Sequence, residues 1–189
     1  GFTLGQSSYA ELILLASRLN QGNVVKCLLQ EMGDFPELKL GLEHVTSVMA
    51  ACRKARMYEV VPNLFTWWKS AGFLPNAIMF ELVVTSLLSM GKPRDALAIY
   101  WEMEEMGCCL DLRVYKAFLS VCVELSDSTK ALRLFSRMKD AQISPDRDVY
   151  ENLIRVCCKD GRFGKAQEFL DAMKRADLPM MHCNLEDYI

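Results

Sequence analysis

The sequence predicts an all-α fold, a solenoid of antiparallel helix-turn-helix repeats, and three observations carry that reading. Phe80, Tyr115 and Tyr150 stand thirty-five residues apart. Met103, Met138 and Met173 keep the same interval, and so do Ala96, Ala131 and Ala166. Within each interval two stripes of apolar residues at helical spacing are separated by a turn signal. Self-similarity at a period of this size marks stacked supersecondary units, none of which can bury its apolar face alone.

The elements follow in chain order. Ser7–Leu19 and Asn23–Met32 form a divergent helix pair, followed by a linker over Gly33–Leu40, so residues 6–41 are read as a degenerate repeat that caps the array. Residues 42–76 form the first regular repeat. Pro62 falls early in its second helix, where backbone N–H groups lack partners anyway, and Gly72-Phe73-Leu74-Pro75-Asn76 closes it. In residues 77–111, Phe80, Leu82, Val83, Leu87 and Leu88 make one stripe, and Ala96, Leu97, Ile99, Tyr100 and Met103 make the other. Between them Gly91 suits a left-handed helix end and Pro93 suits a first turn. Residues 112–146 are read as helices over Val114–Leu125 and Ser128–Ala141, with Asp127 or Ser128 as N-cap. Pro145 ends that repeat, since proline cannot continue a helix. Residues 147–181 turn at Lys159-Asp160-Gly161, and residues 182–189 are a C-terminal tail.

Composition narrows the function. The net charge of −2 argues against a strongly cationic nucleic-acid binder but leaves room for a basic stripe on one face. Among the eight cysteines, Cys52, Cys122 and Cys157 share one slot of the repeat, as small apolar core residues would. Cys108–Cys109 and Cys157–Cys158 are adjacent and no CxxC occurs, so free thiols in a reducing compartment are expected. His182 and Cys183 are a solitary pair without a second pair at zinc spacing, and no metal or cofactor is expected. No apolar run is long enough to span a membrane, and no signal or transit peptide is visible at Gly1. Nucleophile elbow, phosphate loop and ordered carboxylate cluster are all missing, so the residues are not read as an enzyme.

Two segments carry a resemblance. Tyr150-Glu151-Asn152-Leu153-Ile154 with Cys158-Lys159-Asp160-Gly161-Arg162 is one. Ala131-Leu132-Arg133-Leu134-Phe135-Ser136-Arg137-Met138 with Ile143-Ser144-Pro145-Asp146 is the other. These resemble the pentatricopeptide repeat family, in its plain (P-type) class from plant organelles, over residues 42–181 and loosely over 6–41. The tetratricopeptide repeat shares the helix hairpin but has a period of about 34, and three registers of thirty-five favour the first family. The resemblance implies a right-handed superhelix binding single-stranded RNA along its inner wall, one base per repeat. It implies a role in organellar RNA metabolism, chloroplast ahead of mitochondrion, such as intron splicing or transcript processing. An alternative is a protein-interaction scaffold in an organellar transcription or ribosomal complex.

The family pattern pairs a first-helix residue with the last residue of the repeat to choose a base. Carried over, the base-facing pairs are Thr46 with Asn76, Glu81 with Asp111, Lys116 with Asp146, and Glu151 with Met181. Thr46 with Asn76 matches the family's adenine-reading combination, and the other three depart from its standard pairs. Ile78 fits the slot that sandwiches the base, and Arg113 can stack through its guanidinium plane. Glu43 and Asp148 would present carboxylates to a polyanion there. Arg18, Lys54 and Lys159, at the ends of first helices, are candidate phosphate contacts, with Lys92 nearby. Their other reading is charge complementing the helix dipole. Trp67, Trp68 and Trp101 lie on second helices, which favours core or protein-contact roles; an exposed Trp68 would mark a partner surface. Protein partners and a homodimer complete the expected associations.

Overall fold

The computed structural model describes residues 6–19, 21–34, 41–106 and 110–179, and among these all regular structure is helical. The first five helices are α1 (Gln6–Arg18), α2 (Gly22–Asp34), α3 (Leu42–Lys54), α4 (Val60–Ser70) and α5 (Ala77–Ser89). The second five are α6 (Pro93–Glu105), α7 (Leu112–Leu125), α8 (Ser128–Asp140), α9 (Arg147–Lys159) and α10 (Phe163–Arg175). The expected linker over Gly33–Leu40 is shorter than its sequence suggests, because α2 runs on through Asp34; residues 35–40 lie outside the described residues. So do Cys108, Cys109, Met181 and the tail at 182–189.

The chain divides into two compact units, residues 1–91 and 92–189, with the boundary inside the 77–111 repeat. In the first unit α1 packs on α2 and α3, α3 on α4 and α5, and α4 on α5. In the second, α7 packs on α6, α8 and α9, and α9 also packs on α8 and α10. Within each unit first helices therefore stack on first helices, and second helices pack against them. The periodic residues form the core of each unit: Phe80 and Tyr115, the three alanines and the three methionines are all buried, as are Cys52, Cys122 and Cys157. An alanine is required where helices approach this closely, since added methylenes in a close-packed core force neighbours off their rotamers. Ring pairs bind adjacent helices edge to face, with Phe65–Phe80 at 5.3 Å in the first unit and Phe135–Phe169 at 5.3 Å in the second.

The turns repeat as strictly as the core. Arg56, Gly91, Ser126 and Gly161 all take a left-handed backbone conformation, and they too are thirty-five residues apart. Gly72, Gln142 and Asp177 form a second left-handed series, on the same register. Pro93 opens α6, as its fixed φ suits. Asp127, not Ser128, caps α8, its carboxylate accepting from the Lys130 N–H at 2.9 Å. Ser128 is buried instead, and its hydroxyl donates to the Asp160 carboxylate at the end of α9. Trp68 is buried, stacked 4.4 Å from Phe73 with its indole N–H donating to the Leu74 carbonyl at 3.2 Å. It anchors the closing turn of its repeat and is not a partner surface.

Candidate nucleic-acid interface

The last residues of successive repeats each begin the next helix. Asn76, Asp111 and Asp146 sit in extended backbone as N-caps of α5, α7 and α9. Each side-chain oxygen accepts from the N–H three residues on: Met79 at 2.9 Å, Val114 at 3.0 Å and Val149 at 3.1 Å. One oxygen of each side chain is thus committed to the helix, which leaves the second polar atom for another partner: Arg113 for Asp111 and Lys116 for Asp146. For Asn76 that second atom is the amide nitrogen, a donor; for the two aspartates it is another acceptor. The sequence reading missed this double duty, although Asn or Asp just before an apolar stripe is an ordinary helix-start signal.

In the first unit, Thr46 lies on the first turns of α3 and its hydroxyl donates to the carbonyls of Leu42 and Glu43 at 2.8 and 3.0 Å. Its oxygen keeps lone pairs to accept a bond. Ile78 is half-buried at the start of α5. Glu81, further along α5, faces the Arg53 guanidinium at 3.9 Å and is mostly covered. Between α1 and α3 runs a groove of about 700 Å³ lined by Arg18 and Lys54 together with Ser47, Ala50, Ala51 and Ala55. The small residues on α3 open the groove, and the two cations stand exposed at the helix ends.

The second unit closes its slots on itself. Lys116 of α7 donates to Asp146 at 3.0 Å and to Asp148 at 2.8 Å. The Lys116–Asp146 pair expected from the family pattern is therefore brought together, with Asp148 as a third member. The hydrogen bonds it donates to Asp148 and Asp146, with the charges of those two carboxylates, outweigh burial and hold the Lys116 ammonium above the usual lysine range. Asp111 accepts two bonds from Arg113, at 2.9 and 3.2 Å, so the guanidinium is held against its own helix start. Glu151 accepts from Arg147 at 2.6 Å one turn away. Lys159 donates to the Val123 carbonyl at the end of α7, at 3.3 Å, which is the helix-end role that competes with phosphate contact. Glu81 and Asp111 fall in different units, and Met181 lies outside the described residues. Neither glutamate is the freely solvated residue its helix position suggests; Arg53 and Arg147, which sequence reasoning passed over, neutralise them. An arginine one turn before Glu151 on the same helix was the available signal for the second of these.

Among the described residues no group of His, Cys, Asp and Glu is arranged to hold a metal ion. No helix among them is long and apolar enough to cross a membrane.

Helix hairpins in this register define a helical-repeat protein. The model of the pentatricopeptide repeat domain matches residues 98–160, and that of the PPR repeat matches 78–108 and 148–178. Together they run over more than half of the sequence, and the chain belongs to the pentatricopeptide repeat family. A pentatricopeptide repeat-containing protein of Arabidopsis thaliana is 35% identical over 93% of this chain and 36% of its own length. Another from Arabidopsis thaliana, named as mitochondrial, is 26% identical over 73% of this chain and 24% of its own. A third, named as chloroplastic, is 31% identical over 44% of this chain and 12% of its own. The chain spans about a third or less of the length of these relatives. Among solved structures, PPR10 in complex with an 18-nt psaJ RNA element matches with a TM-score of 0.70 at 22% identity, over 93% of this chain and 26% of that one. The PPR domain of Arabidopsis thaliana protein-only RNase P 1, in complex with tRNA, matches at 0.70 and 16% identity, over 93% of this chain and 91% of its own. These likenesses establish the helical-repeat fold.

Proposed function

We propose that the chain is a single-stranded RNA-binding adaptor in organellar RNA metabolism, such as intron splicing or transcript processing, and that its first unit makes the principal RNA contact. The observation that carries this is the groove between α1 and α3, where Arg18 and Lys54 flank a floor of small residues. Phosphate-bearing chains are drawn to such paired cations even on a protein of net charge −2. Thr46 and Asn76, on α3 and at the start of α5, supply an acceptor and a donor. Adenine offers the complement, an amino donor beside ring-nitrogen acceptors. Ile78 is the apolar face for the ring. In the second unit Lys116, Asp146 and Asp148 satisfy one another, and Arg113 is held by Asp111. Those slots contribute tolerance of sequence rather than base choice. The RNA-bound relatives of this fold and the organellar names among the sequence relatives support the assignment; within it we favour the chloroplast.

The test is binding of labelled adenine-rich and uridine-rich single-stranded RNA at several salt concentrations. Two phosphate contacts give a slope of about −1.4 in log affinity against log salt, roughly a sevenfold loss between 50 and 200 mM. Replacing Arg18 and Lys54 with alanine should flatten that slope to near zero, and Asn76→Asp should erase any adenine preference. Binding that survives both changes undiminished, or none at all at high micromolar protein, rules the reading out. In the second case the chain is a protein scaffold.

A further inference from the structure

A second concavity lies in the 92–189 unit, on the second helices. It opens between α6 and α8 over a floor of Leu97, Phe118 and Leu134, and its volume is about 170 Å³. Trp101 stands at its edge, half exposed and set edge-on to Tyr100 at 5.4 Å. The Tyr100 hydroxyl donates to Glu104 at 2.6 Å and accepts from Arg137 at 2.6 Å, and Arg137 also pairs with Glu104. This triad forms one rim. On the same side Arg133 stands exposed. The base-facing candidates of this unit are elsewhere, on α7 and at the start of α9.

We propose that this socket docks a protein segment that presents one apolar side chain with carboxylates beside it. Its volume falls below the roughly 300 Å³ at which small-molecule sites begin, which suits a single leucine or phenylalanine side chain. The floor is apolar and the half-exposed Trp101 indole beside it is the kind of aromatic anchor on which interface affinity concentrates. Charge selects the flanks: α8 carries Lys130, Arg133, Arg137 and Lys139 against a single Asp140, in a chain whose net charge is −2. Lys130 and Arg137 are already paired with Asp127 and Glu104, and Lys139 lies over the Phe135 ring. Arg133, exposed and acting on Asp127 only through its charge, is available to meet an incoming carboxylate. A nucleic acid is disfavoured here because Lys130, Arg137 and Lys139 are engaged, so a run of phosphates would meet one available cation over an apolar floor and not a basic stripe.

Selection of phage-displayed twelve-residue peptides on the full chain tests this, with the Arg133→Glu variant as counter-selection and circular dichroism confirming that it folds. Enriched peptides should carry Phe or Leu with Asp or Glu within two positions. A synthetic peptide from that set should shift the Trp101 indole resonance, assigned with Trp101→Phe, and lose at least tenfold in affinity on Arg133→Glu. Lys54→Ala should leave it unchanged. Failure to enrich, enrichment without acidic residues, or binding indifferent to Arg133→Glu overturns the proposal. So does displacement of the Trp101 signal by single-stranded RNA, or by raising the concentration of the protein alone, which would assign the face to nucleic acid or to a second copy.

Discussion

Single residues in this chain are set by what lies one repeat away. Cys122 and Cys157 show it most simply. Burial pushes the Cys122 thiol up to about 12 and that of Cys157 up to about 11. Both stay protonated at neutral pH, and the thiolate is the reactive form. Iodoacetamide at pH 8 should therefore label exposed Cys27 in the native protein and spare Cys122 and Cys157 until denaturant is added, read by peptide mass spectrometry. The linkage has a definite sign. A pKa raised by folding means the native state holds its proton more tightly, so that contribution to stability is fully present below the unfolded thiol pKa of about 8.5. It is lost as pH rises from there towards 11 for Cys157 and 12 for Cys122. Urea midpoints should fall between pH 8.5 and 10, and Cys122→Ala should flatten that fall. A pH-independent midpoint would contradict it.

At the scale of helices and turns, the two left-handed series divide what could be read in advance from what could not. Gly91 and Gly161 announce their turns, because glycine adopts positive φ without steric cost. Arg56, Ser126, Gln142 and Asp177 do the same work with a Cβ present, which costs about 1–2 kcal/mol at such a position. Aspartate visits this region more readily than most residues, so Asp177 carries a weak signal; nothing in the other three residue types announces the conformation, and only the register does. The helices and their core stripes were legible for the opposite reason, since burial demands apolar residues at fixed spacing. Among the candidate slots, one pairing was legible in position but not in state. Lys116 and Asp146 are found together as the pattern implies, whereas Asp148 as their third partner depends on side-chain reach across two helices, which spacing does not encode. Ser126→Gly and Gln142→Gly should each raise stability by about 0.5–1 kcal/mol in urea unfolding, and Gly91→Ala should lower it by at least as much. Destabilisation by both glycine substitutions would show that the turns are held by something other than backbone strain.

For the whole molecule, stability follows from contacts between neighbours. Repeat arrays behave as sums of unit stabilities and nearest-neighbour terms, and a long array need not unfold in one step. Leu153 is fully buried in α9. Leu153→Ala should remove about 2–5 kcal/mol, and the loss of amide exchange protection should be greatest in α7 to α10. Protection falling equally in α1 to α4 would mean that the chain unfolds as a single cooperative block.

The bond from Ser128 to Asp160, with Arg162 reaching Thr129 at 3.2 Å, ties each of two adjacent hairpins to the other's turn. These modules are consequently not interchangeable cassettes. The hairpin that carries Ser128, transplanted into another array without its neighbour, would arrive with a buried hydroxyl lacking its acceptor, while Asp160 would keep Arg162. Engineers borrowing from this chain must move the two together or redesign the seam.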